Sequence, residues 1–73
     1  MLDALVPEIE RLQTNGAVVL LKWDGERSKN RCTVVVAHAA TGYTFRRDSE
    51  NIRSSLQEAI KDFWSKHAGN EPN

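Results

Sequence analysis

The sequence is poor in the residues that carry most protein chemistry, with one cysteine, two histidines and four glycines in 73 residues. A single thiol, Cys32, forms no disulfide within the chain. Small secreted domains usually depend on disulfides, so we expect a reducing compartment, the cytoplasm. One cysteine and two histidines do not supply a zinc-binding set, and the dispersed glycines form no phosphate-binding loop. We therefore expect neither a metal nor a cofactor.

Long hydrophobic runs are also missing. Residues 2–21 contain three acidic side chains, an arginine and a proline, which argues against a membrane-spanning helix there. No basic segment precedes an apolar stretch, so the sequence shows no signal peptide. An apolar content of 40% and a charged content of 27% are typical of a globular chain. We expect one domain over residues 1–73, with a disordered tail at 70–73.

The sequence pattern keeps a nucleophile and a base too far apart for catalysis. Cys32 and His38 lie on one predicted strand, where six residues at ~3.3 Å each separate them by about 20 Å. A catalytic pair needs hydrogen-bond contact, so we predict that the protein is not an enzyme. We interpret Cys32 as a small buried apolar residue and His38 as the end of a strand. His67 is interpreted as a helix-end cation or a partly buried ring.

Hydrophobic periodicity and turn signals predict five elements. Apolar residues up to Leu12 recur at helical spacing and Asn15-Gly16 is a typical helix end, so the first helix is expected over about 7–14. Three segments rich in β-branched and aromatic residues follow. The second helix is expected to begin after Asp48 or Ser49 and to end at Gly69. The predicted strands are residues 17–24, 31–39 and 43–47.

Short connections between consecutive strands favour antiparallel neighbours. The order α-β-β-β-α therefore predicts an α+β fold, a three-stranded antiparallel meander with two helices packed on one face. Alternate residues of each strand are expected to face the helices. The expected core comprises Leu5, Ile9, Leu12, Ala17, Val19, Leu21, Trp23, Cys32, Val34, Val36, Tyr43, Phe45, Ile52, Leu56, Ile60 and Phe63.

The element order and the chain length are similar to those of double-stranded RNA-binding domains. Those domains have a lysine-rich start to the second helix, whereas this chain has Asp48, Ser49, Glu50 and Asn51 there. We therefore do not assign the chain to that family.

Two stretches, 17–23 and 32–39, are apolar on both faces, and the chain has too little helix to cover both. Val18, Leu20, Val35 and Ala37 are therefore expected on an open face of the sheet. Soluble monomers seldom expose such a contiguous apolar patch. The leading hypothesis is a non-enzymatic interaction module that self-associates through these residues as a symmetric homodimer. Another protein would use the same surface.

The net charge of zero conceals an uneven distribution of charge. Residues 22–47 carry six basic and two acidic side chains, a net of +4, whereas the segments on either side are each −2. A basic segment with Trp23 and Tyr43 available for stacking suggests an alternative, a nucleic-acid-binding domain that uses the sheet or its hairpin. The candidate contacts are Lys22, Arg27, Lys29, Arg31, Arg46 and Arg47.

Overall fold

The computed structural model describes residues 2–67, which form two helices and one sheet in the predicted order. A 3₁₀ turn, Leu2–Leu5, leads directly into helix α1, Val6–Thr14. The strands are β1, Val18–Trp23, β2, Cys32–His38, and β3, Tyr43–Ser49, and helix α2 spans Ile52–Lys66. The sheet is antiparallel with the strand order β1-β2-β3. The predicted α+β class and meander are confirmed.

Helix α1 ends as the Asn15-Gly16 pair predicts. Gly16 has a φ of +89°, a left-handed conformation that costs glycine little. The Gly16 N–H donates to the carbonyl of Gln13 and the Ala17 N–H to that of Leu12, the two hydrogen bonds of a Schellman cap. Both Leu12 and Ala17 are buried at this cap. The turn therefore ends the helix and starts the buried side of β1 within three residues.

Helix α2 begins later than predicted. The N-cap is Asn51, whose side-chain oxygen accepts a hydrogen bond from the Ser54 N–H. Asp48 and Ser49 belong instead to β3, where Ser49 pairs with Cys32 in the ladder. An N-cap side chain must be free to accept a hydrogen bond from a backbone N–H of the helix. The Asp48 carboxylate instead accepts a hydrogen bond from the Thr33 hydroxyl. Gly69 and the tail at 70–73 lie outside the described residues.

The strand register separates two faces of the sheet. On the face toward the helices, the inner face, Val19 pairs with Val36, Leu21 with Val34, and Trp23 with Cys32. Side chains from α1, α2 and the inner face form one apolar cluster, as expected for two helices on the same side. Its buried members are Leu5, Leu12, Ala17, Val34, Val36, Leu56, Ala59, Ile60, Phe63 and Trp64. Ile9, Val19, Leu21, Tyr43, Phe45 and Ile52 pack partly buried around it.

Trp23 was predicted to lie in the core, and that prediction is wrong. Its pairing with the buried Cys32 places it on the inner face, but 59% of its surface is exposed. The reason is its position at the last residue of β1, where a cavity separates it from the start of α2. Alternation along the strand predicts the face correctly but not where the helices stop covering it.

Among the helices of the described chain, none combines the length and apolarity that a bilayer crossing demands.

Phe63 offers the strictest test of this packing. It is 1% exposed and its ring lies against those of Tyr43, Trp64 and His67. Phe63→Ala should lower the free energy of unfolding by about 3–5 kcal/mol, because a large cavity replaces the ring. Urea unfolding followed by circular dichroism measures the loss. Lys61→Ala, on the exposed side of the same helix, should shift the midpoint little, and equal midpoints for the two variants would contradict the packing.

Candidate interaction surface

The face of the sheet away from the helices, here called the outer face, consists of three cross-strand rows. The first row is Val18, Ala37 and Thr44, and the second is Leu20, Val35 and Arg46. The third row is Lys22, Thr33 and Asp48. The face therefore has an apolar end near the β2–β3 turn and a polar end near the β1–β2 loop.

The apolar end contains the four predicted interface residues. Val18 is 58% exposed and Leu20 is 59% exposed, so little of the described chain covers either side chain. Val35 and Ala37 lie on the central strand and are half-buried by their neighbours. The structure thus brings the predicted residues together as two adjacent pairs, Val18 with Ala37 and Leu20 with Val35.

The polar end is held together by Arg27, which reaches it from the β1–β2 loop. Its Nε donates to Asp24 Oδ2 at 3.2 Å, and its Nη2 donates to Thr33 Oγ1 at 2.9 Å. Its Nη1 also lies 3.7 Å from Asp48 Oδ1. Thr33 is only 5% exposed although it stands on the outer face. The loop therefore folds against one half of this face and leaves the other half uncovered.

Both carboxylates of the polar end are stabilised in their charged form. The hydrogen bond from the Thr33 hydroxyl, followed by the nearby Arg46 and Arg27, holds the pKa of Asp48 below its usual value. The Glu26 backbone N–H and then the Arg27 side chain lower the pKa of Asp24.

The six predicted nucleic-acid contacts do not form one basic surface. Lys22, Arg27 and Arg46 are on or against the outer face and form ion pairs with Asp24 or Asp48. Arg47 lies on the inner face, opposite Val34, and pairs with Glu58 of α2 at 2.6 Å. The remaining two are Lys29 in the loop and Arg31 before β2, which form no ion pair within residues 2–67.

A cavity of about 670 Å³ lies at the end of the sheet near the β1–β2 loop, on the side of the helices, between β1 and the start of α2. Trp23, Leu2 and Ile52 give it apolar walls, and Arg31 and Arg53 contribute charge. Asp24 and Glu50 also line it. Asp24 forms ion pairs with Lys22 and Arg27. By contrast, Glu50 accepts the uncharged Asn30 backbone N–H and retains its negative charge. The charge of the two arginines is therefore only partly compensated.

The residues considered for catalysis or metal binding are buried within the fold. Cys32 is 8% exposed, as the interpretation of a small buried residue requires. His38 ends β2 as predicted, and His67 is a buried ring rather than an exposed cation. Over residues 2–67 no three His, Cys, Asp or Glu side chains are grouped for a metal ion.

Sequence reasoning missed Thr33 and Thr41, whose hydroxyls connect charged or aromatic partners at opposite ends of β2. Thr33 carries no signal of such a role because threonine is an ordinary strand-forming residue, and Thr41 lies in the turn after β2, where a small polar residue is equally ordinary.

Comparison with protein-family models, with curated proteins and with solved structures finds no match, so the function must be inferred from the geometry of the chain itself.

Acid unfolding tests the polar end. A carboxyl group whose pKa is lower in the folded chain adds stability above its unfolded pKa of about 3.9 and loses it as the pH falls through the folded value. Asp48→Asn should therefore narrow the difference between the urea midpoints at neutral pH and in acid. Glu10→Gln, which removes an exposed carboxylate without an ion pair in the described chain, should keep the wild-type difference. An unchanged difference in Asp48→Asn would contradict the argument.

Proposed function

We propose that the chain is a small non-enzymatic interaction module whose outer face binds a second copy of itself. The observation that carries the proposal is the exposure of Val18 and Leu20 at 58% and 59% on a face that neither helix covers. Four aliphatic side chains in two adjacent cross-strand pairs form a contiguous patch. Such patches on soluble proteins mark interaction sites.

The energy available from the patch supports a weak, reversible dimer. Covering the exposed part of Val18 and Leu20 contributes about 1–2 kcal/mol for each side chain, or roughly 4–8 kcal/mol for two copies. The cost of association is subtracted from this contribution, and burial of Val35 and Ala37 offsets part of that cost. A net of about 4 kcal/mol corresponds to a dissociation constant of about 1 mM and a net of about 8 kcal/mol to about 1 μM. We therefore expect a weak affinity, in the upper part of the micromolar range.

A second copy is favoured over an unrelated partner because the outer face is suited to self-pairing. Across a two-fold axis the four aliphatic side chains of one copy meet those of the other, and Arg46 at the end of the second row is already paired with Asp48. At the polar end the Arg27 guanidinium already has Asp24, Asp48 and Thr33 as partners. These internal pairs let two polar ends lie side by side without an unpaired buried charge.

With one cysteine, which is free, so small a domain has no internal disulfide, and we propose a cytoplasmic location on that ground.

Leu20→Glu tests the dimer with little risk to the fold, because Leu20 is exposed in the single chain. The wild type should change from monomer to dimer between about 20 μM and 1 mM, as read by sedimentation equilibrium. Leu20→Glu should remain monomeric, since its carboxylates would meet across the axis. Val35→Glu should also be monomeric, but with lower stability because Val35 is half-buried.

Gln57→Glu introduces the same charge on an exposed position of α2 and should dimerise like the wild type. A wild-type chain that stays monomeric over the whole range would overturn the proposal. Dimerisation of Leu20→Glu with wild-type affinity would place the interface elsewhere.

A second candidate function, nucleic-acid binding, is favoured by the cavity rather than by the whole basic segment. Trp23 is 59% exposed beside it, and Arg31 and Arg53 line it without an ion pair in the described chain. An exposed indole can stack on a base while the arginines contact phosphate. This arrangement fits a single-stranded nucleic acid better than a duplex groove, because the stacking surface accepts an unpaired base.

The alternative predicts that a fluorescent oligonucleotide binds at low salt and that binding weakens steeply as salt is added. Replacing Arg31 and Arg53 together by alanine should abolish the anisotropy change. Replacing Arg46 and Arg47 by alanine is the matched control, because both are ion-paired within the chain and should matter little. Absence of a complex at low salt and tens of micromolar protein would remove this candidate.

A further inference from the structure

A cluster of two histidines and a threonine joins both helix ends to the β2–β3 turn. His38 Nε2 lies 2.7 Å from the backbone oxygen of Asn15, at the end of α1. His67 Nδ1 lies 2.8 Å from the backbone oxygen of Phe63, in the last turns of α2. The remaining ring nitrogens, His38 Nδ1 and His67 Nε2, lie 3.0 and 2.9 Å from the same atom, Thr41 Oγ1.

The number of hydrogens in this cluster follows from its acceptors. A carbonyl oxygen only accepts, so His38 Nε2 and His67 Nδ1 must each carry a hydrogen. In two neutral rings the nitrogens that face Thr41 would then carry none. The threonine hydroxyl has one hydrogen, and its third acceptor, the His38 backbone oxygen, is the most distant at 3.5 Å. The hydrogen therefore satisfies one ring nitrogen at most, and the other ring nitrogen and the hydroxyl oxygen face each other with lone pairs at hydrogen-bond distance.

One additional proton completes the network. With it, one ring donates to Thr41 Oγ1 and the Thr41 hydroxyl donates to the other ring. A second additional proton would place two positive rings side by side, with their centroids 5.1 Å apart. We propose that His38, Thr41 and His67 form a proton-binding site that holds one shared proton in the folded chain.

The surroundings of the site favour a single positive charge. Both carbonyls that accept from the rings lie at the negative ends of helices. The His67 ring stacks on Phe63 at 4.1 Å with an interplanar angle of 14°. An aromatic face in this position stabilises an adjacent cation.

The other ionisable groups near the site do not change their charge in the neutral range. From β3, the Tyr43 ring lies nearly perpendicular to the His67 ring, and from α2, Asp62 accepts a hydrogen bond from the Tyr43 hydroxyl and pairs with Lys66. Burial raises the pKa of Tyr43, and the hydrogen bond from Tyr43 lowers the pKa of Asp62. A proton gained or lost within this cluster near neutral pH therefore belongs to the histidines.

The shared proton makes the fold sensitive to pH. In the window where unfolded histidine has lost its proton and the folded site still holds one, the folded chain binds more protons than the unfolded chain. Stability therefore falls as the pH rises, and the unfolding equilibrium constant increases by up to about tenfold per pH unit. Loss of the proton breaks one of the two contacts to Thr41 and loosens the tie between the turn and a helix end.

Nitrogen-15 NMR of the imidazole rings counts the hydrogens directly. At about pH 7.5, where an unperturbed histidine is mostly neutral, the two wild-type rings should hold three N–H hydrogens on four nitrogens, with a chelator present to exclude metal. Two N–H hydrogens, one on each ring, would overturn the proposal.

Two substitutions at the bridging residue separate the proton from simple packing. Thr41→Val preserves the shape but removes the hydroxyl, so it should show two N–H hydrogens and a weaker dependence of stability on pH. Thr41→Ser retains the hydroxyl and should behave as the wild type. If Thr41→Val retains three N–H hydrogens, the shared proton is refuted. If Thr41→Val does not fold, the number of ring N–H hydrogens in the wild type and in Thr41→Ser tests the proposal, and two rather than three in both would refute it.

Discussion

The central strand β2 is the element on which the rest of the structure depends. It pairs with β1 on one side and β3 on the other, and the inner-face residues Val34 and Val36 are completely buried. Helix α2 packs over β2 and β3, and helix α1 packs over β1, so the two helices close one apolar core on the same side of the sheet. Because all the helical cover lies on one side of β2, the opposite side has only what the strands and one loop provide. The closed core and the open outer face therefore have the same cause, which is that both helices lie on one side of the sheet.

The outer face is not uniformly open, and this division matters for any partner. The β1–β2 loop places Arg27 against Thr33 and Asp48, which covers the polar end. Nothing comparable reaches Val18 and Leu20 from within the described chain. A partner on this face would thus meet a small apolar patch beside a charged region that is already paired. The patch would supply most of the affinity and the charged region mainly the orientation.

The fold was predictable because its signals are local and periodic. Alternation in β1 and β2 correctly separated Val19 from Leu20 and Val34 from Val35, and Asn15-Gly16 correctly marked the end of α1. The errors concern features set by distant residues. Asp48 is a good helix cap in isolation, but Thr33 of another strand engages its carboxylate. The exposure of Trp23 and the joining of His38 to His67 through Thr41 likewise depend on how elements end against one another, which spacing along the chain does not encode.

The cap at the end of α1 has a consequence for the surface of the molecule. Only three residues, 15–17, connect α1 to β1, and Gly16 adopts a positive φ of +89° to make the reversal. So short a connection leaves α1 no freedom to cross the edge of the sheet, so the direction of this turn decides which face the helix covers. Residues with a side chain strain to adopt this conformation. The left-handed backbone conformation at Gly16 thereby helps to determine which side of the sheet stays uncovered.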